Sequence, residues 1–96
     1  MYKKTIQYLL TDLMYTHMKY KQMPYLSDKA KIDRLRMEID DILTTQLTIT
    51  REYLQSIWQD CFDAAQDEYT KESGFRYPYN EIGWNLVFEL EVDSIL

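Results

Sequence analysis

Two glycines, two prolines, one cysteine and one histidine are all that these types contribute to the 96 residues, and each scarcity excludes a class of protein. A single cysteine, Cys61, cannot form a disulfide framework within the chain, so the protein does not depend on an oxidising compartment and a cytoplasmic setting is expected. Gly74 and Gly83 stand apart, which leaves no glycine-rich loop to cradle a phosphate. So few turn residues also argue against an all-β chain, and helices are the expectation.

His17 has no second histidine four residues away, no Glu-x-x-His neighbour and no cysteine pair to complete a zinc set. The stretch Asp60 to Glu72 lacks the alternating oxygen ligands and the central glycine of an EF-hand loop. His17 falls on an apolar helical stripe, and Cys61 lies between Trp58 and Phe62, so both read as core residues rather than as a base and a nucleophile. No catalytic set, metal or cofactor is expected, and an enzyme is the least favoured class.

Long apolar runs are missing too. Runs of three such as Leu86-Val87-Phe88 fall far short of the ~20 apolar residues of a membrane span, so no membrane partner is expected. Met1-Tyr2-Lys3-Lys4 resembles the basic start of a signal peptide, but Gln7, Thr11 and Asp12 interrupt the following stretch and no small-residue cleavage site appears. It reads as the first turn of a helix.

Aromatics are abundant, with nine Tyr, three Phe and two Trp. That is more than the core of one small domain encloses easily, so some tyrosines should lie at the surface, where they favour contacts. The length suits one domain, residues 1–96.

The pattern predicts a compact, all-α, four-helix bundle-like fold. A first helix, about Lys4 to Lys21, carries Ile6, Leu9, Leu10, Leu13, Met14 and His17 as one stripe. Pro24 interrupts, Ser27 is the expected cap of a second helix with Ile32, Leu35, Ile39, Ile42 and Leu43, and the β-branched stretch Thr44 to Thr50 ends it. Thr50 should cap the third helix, Ile49 and Leu54 should form a hydrophobic staple, and Gly74 should supply a left-handed stop after Ser73.

A fourth helix over 81–95 fits the polar repeat Glu81, Asn85, Glu89, Asp93, with Asn80 as its cap and Tyr79 and Trp84 as a second staple. The alternation of Trp84, Leu86, Phe88, Leu90 and Val92 with polar residues fits a strand instead, though a strand would need a partner. If short loops join antiparallel neighbours, Met23, Tyr25, Phe75, Arg76, Tyr77 and Tyr79 gather at one end.

Charge is uneven along the chain. Residues 1–36 carry eight Lys/Arg against three Asp/Glu, and residues 37–96 carry three against thirteen. Asp60, Asp63 and Asp67 fall opposite the apolar stripe of the third helix, and Glu68 and Glu72 extend the charge to its C-terminal end, where carboxylates oppose the macrodipole by roughly 0.3–1 kcal/mol each. These carboxylates either pair with the basic first third or present an acidic face to a basic partner. Phe75-Arg76-Tyr77-Pro78-Tyr79 has hot-spot composition. Of its aromatics, Phe75 is expected to cover the core, and Tyr77 and Tyr79 to face outward.

The candidate partner-binding set is therefore Asp60, Asp63, Asp67, Glu68, Glu72, Phe75, Arg76, Tyr77 and Tyr79. The expected partner is a basic protein surface on a nuclease or nucleic-acid-binding complex, with no direct binding of nucleic acid, which the excess carboxylates would repel. The functional expectation is a small acidic inhibitor that blocks the nucleic-acid site of a host defence nuclease or CRISPR-type complex, as phage-encoded inhibitors do. Two alternatives share the composition: an immunity protein neutralising a bacterial toxin nuclease, and a structural or regulatory homo-oligomer, a homodimer in its simplest form.

Overall fold

The computed structural model describes residues 2–46 and 48–78, with the side chains of residues 2–4 and 51 not included. Three helices follow one another: α1, Tyr2–Gln22; α2, Leu26–Thr45; and α3, Arg51–Ser73. All regular structure among the described residues is helical. The fourth element expected over 81–95, helix or strand, lies outside them, as do its cap Asn80 and the staple of Tyr79 with Trp84.

α1 ends where its sequence stops supporting a helix. Lys19 and Lys21 in the last turn complement the negative end of the macrodipole, and the Met23 N–H closes on the Lys19 carbonyl at 2.8 Å. Pro24 then disfavours a helical conformation for the residue before it.

The start of α2 differs from the expected Ser27 cap. Tyr25 occupies the cap position in an extended conformation without a side-chain hydrogen bond, so Ser27 lies inside the first turn. The first turn is closed by the main chain: the Tyr25 carbonyl accepts from the N–H groups of Asp28 (3.1 Å) and Lys29 (3.2 Å), which places the cap position two residues before Ser27. At the other end, the hydroxyls of Thr44 and Thr45 both donate to the Asp41 carbonyl, at 3.0 and 2.7 Å, so that the side chains of the last turn bond back to their own helix.

α3 forms as its sequence dictates. The Thr50 hydroxyl oxygen accepts from the Tyr53 N–H at 3.1 Å, and Ile49 and Leu54 are both buried as the staple requires. Gly74 takes the left-handed conformation at φ 78°, and its N–H reaches the Thr70 carbonyl at 2.9 Å. Thr50→Ala should lower the unfolding free energy by about 1 kcal/mol, read from urea melts of the helical signal. An unchanged midpoint would show that the cap contributes nothing.

The pairs across the interfaces fix the topology. Lys19 with Asp28 and Asp12 with Lys31 run in opposite chain directions, so α1 and α2 are antiparallel. Gln7 with Cys61 and Tyr15 with Glu72 run in the same direction, so α1 and α3 are parallel. α1 packs on both other helices, and no comparable packing joins α2 to α3 among the described residues.

The core reflects that arrangement. Ile6, Leu10, Leu13, Met14 and Met18 of α1 are completely buried, against Ile32, Leu35 and Ile39 of α2 and Leu54, Cys61, Phe62, Ala65 and Tyr69 of α3. Thr16, also fully buried, satisfies its hydroxyl by donating to the Asp12 carbonyl at 2.7 Å.

Candidate functional site

The outer face of α3 follows from its own periodicity. With Leu54, Cys61, Phe62, Ala65 and Tyr69 turned inward, Asp60, Asp63 and Asp67 must point away from α1, and all three are exposed. Glu68 and Glu72 are exposed as well.

Among the described residues, ion pairing leaves this face alone. The salt bridges among the described residues are Lys19–Asp28 at 3.7 Å, Lys31–Asp12 at 3.2 Å and Arg34–Glu38 at 4.0 Å, all within α1 and α2. Among the described residues, the side-chain hydrogen bond to Asp63 comes from the same helix, from Gln59 at 3.0 Å. Among the described residues, Asp60, Asp63 and Asp67 meet no cation.

Glu72 behaves differently, because it turns toward α1. The Tyr15 hydroxyl donates to its carboxylate. Burial, then this hydrogen bond and the Glu72 charge, raise the Tyr15 hydroxyl far above the ordinary tyrosine range, so it stays a donor. Lys19 lies 4.8 Å above the centre of the Tyr15 ring. A hollow of about 420 Å³ opens here, lined by residues of all three helices including Tyr15, Lys19, Asp28, Tyr69 and Glu72, together with Met23 and Tyr25 of the α1–α2 connection. The C-terminal end of α3 therefore does lie beside Met23 and Tyr25.

The segment after α3 reverses the expected roles of two aromatics. Tyr77 is buried, 3% exposed, with its ring edge-on to Tyr69 at 5.8 Å between centroids, while Phe75 is 75% exposed. The reason is the turn. Gly74 in its left-handed conformation and the Phe75 N–H bond to Ser73 Oγ at 3.1 Å fold the chain back. Gln66, itself buried, then donates its side-chain N–H to the Tyr77 carbonyl at 3.3 Å. Tyr77 thus closes the core rather than offering a contact. Arg76 is exposed beside Phe75, and Tyr79 lies outside the described residues.

Neither Cys61 nor His17 is presented to solvent as a nucleophile or a base. Cys61 is buried, with its thiol directed at the Gln7 carbonyl at 3.6 Å, and burial raises its pKa. His17 is held neutral: burial, and secondarily Lys21, lower its pKa from 6.5 to about 4.

A base depressed in the folded state is protonated first in the unfolded chain. Stability should therefore be fully present above pH 6.5 and fall as pH drops toward 4, with a slope of at most about 1.4 kcal/mol per pH unit from this residue. In urea melts across that window, His17→Gln should flatten the fall. An identical slope in both proteins would refute the assignment.

One surface that the sequence reading did not single out runs along the seam of α1 and α3. Gln7, Tyr8, Thr11, Asp12 and Tyr15 of α1 and Ala64 and Glu68 of α3 line a hollow of about 560 Å³. Its sequence signal was the pair Tyr8 and Tyr15, seven residues apart on the polar side of α1.

The fold and these surfaces together define a small helical protein with an acidic outer helix. Comparison with known protein families, curated proteins and solved structures finds no match. No described helix is long and apolar enough to cross a membrane.

Proposed function

We propose that this protein acts by stoichiometric binding, not catalysis: the outer face of α3 docks on a basic protein surface and occupies a cleft that otherwise holds nucleic acid. The partner class is a nuclease or a nucleic-acid-guided defence complex of the CRISPR type. The observation that carries this reading is the division of charge. The paired cations of α1 and α2 meet carboxylates on those same two helices, while Asp60, Asp63 and Asp67 remain exposed and unpaired with any cation among the described residues.

Residues three and four apart on a helix stand ~5–6 Å apart at Cβ, so the three aspartates form a short line of negative charge. A basic groove built for a phosphate backbone is complementary to such a line. Exposed Arg76 and Phe75 adjoin its C-terminal end and supply the residue types that anchor interfaces.

The test is capture of partners from bacterial lysate on the immobilised chain, followed by elution with duplex DNA. A basic nucleic-acid-binding protein released by DNA supports the reading. A partner that DNA leaves in place contradicts it.

A further inference from the structure

We propose that the hollow on the α1–α3 seam is an arginine-binding subsite, which receives one guanidinium from a basic segment of the partner protein. This deepens the docking reading above and rests on it. The hollow measures about 560 Å³, ample for a single long side chain.

Its walls match the two halves of arginine. Tyr8, 78% exposed, offers an accessible ring, and Ala64 adds an apolar contact for the methylene stem. Glu68 supplies the anchoring carboxylate. Asp12 also lines the hollow but is already paired with Lys31 at 3.2 Å, whereas Glu68 has no ion pair among the described residues. A planar guanidinium can stack on a tyrosine ring and direct two N–H groups at one carboxylate, which a lysine ammonium cannot do.

The protein contains a precedent beside it. Tyr15 is shared by this hollow and by the one at the end of the helices, and there Lys19 lies over the Tyr15 ring while pairing with Asp28. One hollow thus already holds a cation over tyrosine with a carboxylate at hand. The other has the same components and no Lys or Arg in its lining. The hollow also borders the acidic face, since Ala64 and Glu68 lie four and eight residues beyond Asp60 on α3. A basic segment crossing that face would bring a side chain within reach.

The experiment is amide NMR of the full labelled chain, titrated with acetyl-Gly-Arg-Gly-amide and with the neutral analogue carrying citrulline in place of arginine. Saturable shifts at Tyr8, Thr11, Ala64 and Glu68 with the arginine peptide, absent with citrulline, are expected. Glu68→Gln should weaken binding roughly tenfold with the spectrum otherwise retained, since it removes a charge-assisted pair. Tyr8→Ala should weaken it severalfold. Shifts confined to Asp60, Asp63 and Asp67 would overturn the subsite and leave the docking reading standing. No saturable shift at millimolar peptide would overturn the subsite as well, and a docking reading that still yielded a DNA-released partner would survive it.

Discussion

Leu10→Ala should remove about 2–5 kcal/mol from the unfolding free energy. Leu10 is completely buried on α1, the helix against which both α2 and α3 pack, so the substitution empties volume in the shared core. For a domain of this size that cost is a large part of a typical total of ~5–15 kcal/mol. The matched control is Leu26→Ala, at a position 82% exposed, which should change stability by no more than about 0.5 kcal/mol. Urea unfolding followed by circular dichroism reads both. If the two substitutions cost the same, α1 is not the centre of the core.

The second large effect concerns binding. Asp60→Lys, Asp63→Lys and Asp67→Lys together should weaken the complex with a basic partner by at least about 100-fold, because like charges brought together in an interface cost several kcal/mol. The fold should not change. All three side chains point away from the core, and surface substitutions of this kind usually stay within about 0.5 kcal/mol each. Helicity and melting temperature measured on the same samples separate the two effects. Raised salt should weaken the parent complex as well, since exposed charges are screened beyond ~8 Å at physiological ionic strength. A variant that binds as well as its parent would exclude the acidic face as the docking surface.

α3 was the most legible element because its ends are marked by local chemistry. A threonine cap, a staple and a glycine stop each act within a few residues, and each is found where the sequence put it. The start of α2 is less legible for the complementary reason: Ser27 has the right type for a cap, but the turn closes on the Tyr25 carbonyl two residues earlier. The exchange of Phe75 and Tyr77 required knowledge of the path after Gly74. Composition ranks both as buriable, and only the reversal of the chain against Tyr69 and Gln66 decides which one enters.

The acidic face was legible from helical periodicity alone. Whether it was paired was not, since ion pairing across helices depends on their directions, and the bases that were found paired turned to carboxylates of α1 and α2. The seam hollow is not legible in the sequence because Tyr8 and Tyr15 lie on the side of α1 opposite the stripe that marks it as a helix. Their meaning comes from Ala64 and Glu68, brought alongside by the parallel packing of α3.

Recognition of a basic nucleic-acid-binding partner by the outer carboxylates of α3 can be read from paired capture. The parent chain and the Asp60/Asp63/Asp67 triple Lys variant are immobilised at equal density, and bound bacterial proteins are identified by mass spectrometry. One basic nuclease or nucleic-acid-binding complex should be retained by the parent and lost from the variant. Equal retention by both, or recovery of the chain itself alone at a defined multiple of its own mass, would contradict it.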